Sequence, residues 1–322
     1  MVMNSSFTKP WKGVGSRSGW CQSITTFRGV TVLLVLFILS FPVSADGIEG
    51  VVTDITGSPS PPVRYWKPAL NEVNSSLNFS SMDVKQQVPA RRDPKLLVLL
   101  YHNIVYGRTG NTYNRDLYNF EHDLAYIKRN FRITNFDDAL NGADRMSPDR
   151  AIITFDDGDL SIYAIVYPLF RRYGIEATFF IVPSFIGTVG YMNWDQVREI
   201  GSYRTSDGKQ LFQFGSHSLT HRPLGELSLP EIRRELNESK RIIEEQTGEP
   251  VRVLALPFGS GAGDPVITQA AMEAGYTAIR TSKSEAQFMK NIDPWEIGAM
   301  NVENYSSDVM VTKALDLMGD RR

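Results

Sequence analysis

The sequence predicts an α/β protein, in which a parallel sheet covered by helices is either closed as a barrel or left open and doubly wound. Three observations carry that expectation. Short apolar runs of strand length recur between about residues 95 and 315. Segments with helical spacing separate them, as parallel strands require, since each must be reached by a crossover. Polar residues suited to chemistry follow directly after the apolar runs. Those positions are strand C-terminal ends, where α/β folds gather their active residues.

Taken in order, Lys95 to Tyr101 (KLLVLLY) reads as a buried strand. Phe120 to Phe131 has helical spacing, with Phe120, Leu124 and Ile127 on one face. Ala151 to Phe155 (AIITF) is a second buried strand, and Ile162 to Tyr173 a helix closed by Gly174. Ala177 to Val182 (ATFFIV) is a third strand, ended by Pro183, and Leu211 to Gly215 a fourth. Pro230 opens a helix running to Gln246, with Ile232, Leu236, Ile242 and Ile243 facing inward. Val251 to Leu256 is a fifth strand, Pro265 to Ala274 a helix capped by Gly275, and Tyr276 to Arg280 a sixth strand. Trp295 to Val302 completes the set as a seventh.

The bulk numbers narrow the function classes. With 42% hydrophobic and 22% charged residues over 322, the chain can build an ordinary globular core. Its 34 basic and 36 acidic residues nearly cancel, which argues against nucleic acid as a partner. Lys9, Lys12, Arg17 and Arg28 accompany the apolar run Val30 to Val43, and Val43-Ser44-Ala45 supplies small residues for cleavage. Residues 1–45 therefore read as a signal peptide, and the protein as exported to the periplasm or beyond the cell. The run is about 14 residues, short of the ~20 a spanning helix needs. Left uncleaved, residues 30–43 would be a membrane anchor, and only then is a membrane association expected. The single cysteine, Cys21, precedes the run. Cleavage leaves no thiol for a disulfide, a Cys-type zinc site or a nucleophile. Residues 46–94, with GSPSPPV and NEVNSSLNFSSM, read as a Pro/Ser-rich linker, and 95–315 as one folded domain.

Asp156 and Asp157 follow the second strand within TFDDG. Adjacent carboxylates at a strand tip repel, and a bound cation or a division of labour between metal ligand and base would relieve them. A solvated turn would relieve them as well. His217 and His221, in HSLTH, follow the fourth strand, and a spacing of four puts both on one face of a helical turn, ready to share an ion. The two pairs together point to a metal site of one carboxylate and two imidazoles, with room for water. Leu256-Pro257-Phe258-Gly259 follows the fifth strand and reads equally as a tight turn or as a loop offering backbone N–H groups to an oxyanion. His102 obeys the same rule after the first strand, which supports a functional and a structural histidine about equally. His122 reads as a solvated surface residue. Tyr113, Tyr191, Trp194 and Trp295 are aromatics able to stack on a sugar, and each also suits core or loop packing.

TFDDG, then HSLTH about 60 residues later, then LPFG resemble the polysaccharide deacetylases of the NodB-homology type (carbohydrate esterase family 4), over roughly residues 95 to 305. The YHN element ahead of TFDDG, and a Pro-Phe-Gly loop without a preceding arginine, are closer to the branch acting on poly-β-1,6-N-acetylglucosamine. The resemblance implies a distorted (β/α)7 barrel and a divalent ion, zinc first, with cobalt and nickel suited to the same donors. It implies Asp156 as general base, Asp157, His217 and His221 as metal ligands, and the Phe258 N–H as oxyanion donor. No histidine follows His221, so the C-terminal motif that carries the acid in most of the family is missing; resemblance to the poly-β-1,6-N-acetylglucosamine branch implies instead that His102, in the early YH element, is the general acid. The implied function is hydrolysis of the N-acetyl groups of an N-acetylglucosamine-containing polysaccharide. Three departures stand out: Ala255 and Ala299 occupy positions where arginines are common, one of them the tether of the base, and Asn103 replaces a common aspartate beside His102. Those losses would suit an alternative, a weakly active or inactive module that only binds glycan. Hydrolysis of another amide or ester would use the same site.

Overall fold

The computed structural model describes residues 88–107, 110–141 and 146–319, all within the second of two compact units, residues 74–322. The expected signal segment, Cys21 and all of the linker before residue 88 lie outside the described residues. Within them, the first paired segment is Arg91–Arg92, antiparallel to Met146–Ser147.

The strands that form the barrel wall are β1 (Lys95–Tyr101), β2 (Arg150–Phe155), β3 (Ala177–Ile181), β4 (Phe212–Ser216), β5 (Val253–Ala255), β6 (Ala278–Arg280) and β7 (Met300–Asn301), with the short strands Arg132–Ile133 and Gln287–Phe288 added against β2 and β1. The longer helices are α1 (Leu117–Asn130), α2 (Tyr167–Tyr173), α3 (Trp194–Ser202), α4 (Leu229–Thr247), α5 (Pro265–Glu273) and α6 (Ser307–Met318), beside a short one at Phe136–Leu140. β1 to β6 lie in chain order and pair in parallel. The segment from Pro294 to Val302 then joins the two ends of the sheet. Ile279 N–H and Thr281 N–H donate to the Pro294 and Ile297 carbonyls, while Val302 N–H donates to Leu100 on β1. The expected distorted (β/α)7 barrel is therefore what the chain builds, with the seventh strand irregular and short. The helix expected over 162–173 begins as a π-helical stretch, Ile162–Val166, before α2.

Strand alternation sorts the core into two layers. Leu97, Leu99, Ile153, Phe179, Leu254 and Ile279 point outward, under the helices. Leu96, Val98, Leu100, Ile152, Phe180, Val253, Ala255 and Ala278 point into the curl. One further inner-row step of two residues, from Leu100, Thr154, Gly215 and Ala278, reaches His102, Asp156, His217 and Arg280 at the C-terminal ends of their strands. The same parity that fills the barrel with apolar side chains thus delivers four polar ones to its C-terminal mouth. Gly215 is required in this layer, since a Cβ there would come within 2.3 Å of the Phe180 ring.

Candidate active site

Asp156 continues the ladder, its N–H donating to the Tyr101 carbonyl at 2.9 Å, and so keeps inner parity. Asp157 would point away by alternation, but it adopts φ 71°, and Gly158 follows at φ 87°. This left-handed pair turns the chain sharply and brings both carboxylates to one site. The turn is tight: a Cβ on Gly158 would lie 2.9 Å from Ile186 Cδ1.

The histidines converge by a route other than the helical turn expected. Residues 217–221 form a loop, with Ser218 at φ 62° and His221 at φ 60°, conformations a helix does not contain. Local hydrogen bonds hold the loop in this form. Ser218 Oγ accepts from the His221 N–H at 3.0 Å. The buried Glu235 carboxylate, presented by α4, accepts from the N–H groups of Leu219 (2.9 Å) and Thr220 (2.8 Å) and from the Thr220 hydroxyl (2.6 Å). Sequence reading missed Glu235. Its only signal was an acid at an inward helical position one residue before Leu236.

Three donor atoms result. His221 Nε2 lies 3.3 Å from His217 Nε2 and 3.3 Å from Asp157 Oδ1, and His217 Nε2 lies 3.6 Å from the same oxygen. Donors about 2.0–2.1 Å from one tetrahedral ion stand roughly 3.3–3.4 Å apart, so the triangle has the right size. The polar bookkeeping agrees. Asp157 Oδ1 is buried without a hydrogen-bond partner among the described residues. His217 Nδ1 donates to the Ala255 carbonyl at 2.9 Å, which fixes the tautomer and turns the Nε2 lone pair to the site. Burial lowers His217 to about 3 against the attraction of Asp156, so the ring is neutral at pH 7, as a ligand must be. Burial, and next the Asp156 charge, raise Asp157 to about 6. The three residues fit a divalent ion.

Asp156 is held by a residue the sequence reading did not single out. Arg280, at the end of β6, brings Nη2 to 2.6 Å from Oδ1 and 2.5 Å from Oδ2 of Asp156, with both side chains buried. Burial pushes the Asp156 carboxyl up, but Arg280 and the site histidines outweigh it, leaving the group below its ordinary value. With His217 neutral, Arg280 is the largest of the attractions that hold Asp156 ionised. Removing one partner of such a buried pair commonly costs ~3–5 kcal/mol. The concern that losing arginines at 255 and 299 leaves Asp156 unsupported is corrected by this contact.

His102 stands near enough for its charge to favour ionisation of both Asp156 and Asp157. Its ring lies 4.7 Å from that of Tyr113, and its Nδ1 is buried with no partner among the described residues. Asn103 does not assist it: the Asn103 amide donates instead to Asn114 at 3.0 Å. Phe258 sits at φ 58° with its ring exposed and 4.6 Å from the His221 ring. The Gly259 and Ser260 N–H groups close that turn onto Leu256 and Pro257, and leave the Phe258 N–H outside the turn's own bonds. Trp194 and Trp295 pack against the core, and Tyr191 lies 4.8 Å from Phe185, itself 5.6 Å from His221. His122, on α1, is exposed, and its Nδ1 is bonded to the Tyr118 carbonyl.

Glu235→Ala tests the loop. Losing an outer partner of a ligand typically costs 10–100-fold in metal affinity. We expect a drop of about that size in a calorimetric zinc titration, with far-ultraviolet circular dichroism preserved. Unchanged affinity would show that the loop holds its shape without Glu235.

Comparison with known proteins places this site in context. Residues 143–279 match the family model for polysaccharide deacetylase. A Bacillus subtilis (strain 168) protein provisionally named a polysaccharide deacetylase is 25% identical over 207 residues, 62% of this chain and 69% of that one. The poly-beta-1,6-N-acetyl-D-glucosamine N-deacetylase of Staphylococcus aureus (strain MSSA476) is 30% identical over 142 residues, 40% of this chain. The match spans about half, 48%, of that enzyme's length. Among solved structures, the Streptococcus pyogenes deacetylase PplD in complex with acetate superposes with a TM-score of 0.59 at 18% identity, covering 68% of this chain and 97% of that one. At that identity the superposition speaks to the fold. His102 and Arg280 both lie outside the segment matched by the family model.

Proposed function

We propose, from the match of residues 143–279 to the polysaccharide deacetylase family model, that the chain is a metal-dependent enzyme removing N-acetyl groups from an N-acetylglucosamine-containing polysaccharide. One observation carries the reading: three metal-type donors 3.3–3.6 Å apart stand beside a second, Arg-paired carboxylate that can act as a base. A divalent ion held by Asp157, His217 and His221 would supply Lewis-acid polarisation and acidify water at the site. Zinc is the first choice, and cobalt or nickel would suit the same donors.

The residues divide the remaining work. Asp156, fixed by Arg280, takes a proton from the attacking water. The water oxygen bonds to the acetyl carbon, and the Phe258 N–H stabilises the oxyanion that develops. His102 gives a proton to the nitrogen as the carbon–nitrogen bond breaks. The products are acetate and a glucosamine residue. The glycan-binding alternative drew its support from lost arginines, and the Arg280 contact removes that support.

The Staphylococcus aureus relative is named for a β-1,6-linked polymer, and we extend that preference to this chain. The test is acetate release from β-1,6 and β-1,4 N-acetylglucosamine oligomers in the presence of zinc. We expect turnover, faster on the β-1,6 series. Equal rates would remove the linkage assignment, and tight binding without turnover on both series would favour the binding module. Export through residues 1–45 belongs to the same proposal, since such polymers lie outside the cytoplasm.

A further inference from the structure

We infer that Arg280 is the positioning residue for Asp156, a tether supplied from β6 in place of one on β5, and that the two positions are interchangeable. The inference rests on the proposed deacetylase reading and adds to it a residue outside the matched family segment.

Three features argue that the contact is a built seat. First, Ala255 and Arg280 are register partners on adjacent parallel strands, so their side chains leave the same face of the sheet toward the same point. An arginine on either strand reaches the mouth of the barrel. Second, the space is shaped for one such side chain. Ala255 and Ala299 are fully buried and small, and Arg280 itself is 1% exposed. A second long side chain in this layer would overpack it. Third, Arg280 is supported on its way to the carboxylate. Its guanidinium lies 5.0 Å from the Phe180 ring centre, a cation–π contact, and Phe180 in turn occupies the space Gly215 leaves free. One nitrogen, Nη2, meets both Asp156 oxygens. Arg280 is far from incidental to the strand, because its backbone also carries β6, accepting from the Leu256 N–H at 3.1 Å. Substitutions of the side chain leave that ladder bond in place.

The experiment moves the arginine back. R280M, R280K, A255R/R280A and the unaltered protein are compared for kcat, KM, zinc content and circular dichroism. R280M should lose at least 100-fold in kcat with zinc content and KM within threefold. R280K, which keeps a cation, should retain at least tenfold more kcat than R280M. A255R/R280A should do the same from the neighbouring strand, an outcome that a merely structural role for Arg280 would not produce. If R280M fails to fold, the other two decide, since both retain a cation. The inference is overturned if R280M keeps kcat within threefold. It is equally overturned if A255R/R280A is folded and zinc-loaded yet has under 1% of the unaltered kcat. Absence of acetate release by the unaltered protein would instead overturn the deacetylase reading, so the two failures are distinct.

Discussion

Asp156→Asn should cut acetate release by roughly 10²–10⁴-fold, the range a positioned general base contributes, while leaving a folded protein that still binds zinc. The structure explains why both halves of that outcome are expected together. Asp156 does not complete the donor triangle, which is formed by Asp157, His217 and His221. An asparagine at 156 keeps an oxygen that can accept from Arg280 Nη2, so the seat is retained in shape. What it loses is the ability to take a proton from water. Acetate release and zinc content measured on the same preparation provide the check. Turnover near that of the unaltered protein would remove Asp156 from the base role, and loss of zinc would make it a ligand.

His217→Ala should fail in the complementary way, losing zinc and activity at once. His217 is buried, its Nδ1–H is spent on the Ala255 carbonyl, and its Nε2 faces the other two donors. Removing it deletes one of three donors and leaves the Ala255 carbonyl without its partner, at a cost of ~1–3 kcal/mol for an unsatisfied buried acceptor. Zinc affinity should fall by more than the ~10–100-fold typical for an outer partner, and acetate release should reach background at micromolar zinc. Calorimetric titration and the acetate assay decide it. A variant that binds zinc as before would place the ion elsewhere. The two substitutions together separate base from ligand: one keeps zinc without turnover, the other loses both.

Much of this architecture could be read along the chain because its signals are local. Apolar runs such as KLLVLLY and AIITF mark buried strands directly, and β1 to β6 fall within two residues of their expected places, whereas β7 is far shorter than the 295–302 expected. The motif residues were legible because they follow those runs immediately. What escaped depends on contacts distant in sequence or on backbone conformations that side-chain identity does not announce. Arg280 and Asp156 are 124 residues apart, and only the parallel register shows that they meet. A trace was nevertheless present: Ala278 and Arg280 repeat the inner-row step of Leu100 to His102 and Thr154 to Asp156, with a charge closing a buried strand. The helical reading of HSLTH failed because the spacing i, i+4 is satisfied by a loop as well. The loop, with positive φ at Ser218 and His221, is held in part by Glu235, which sits on a different element and accepts from the Leu219 and Thr220 N–H groups. Asp157 is the mirror case, where strand alternation alone would have sent its carboxylate to the other face and a left-handed backbone returns it to His217 and His221.

The most direct measurement is acetate release from a β-1,6-linked N-acetylglucosamine oligomer by one preparation of the protein, taken before chelation, after chelation and after zinc is restored. The site described here predicts turnover, its loss with the metal, and its recovery with zinc. Turnover that survives verified removal of the metal, or a zinc-loaded, folded protein that releases no acetate, would contradict it.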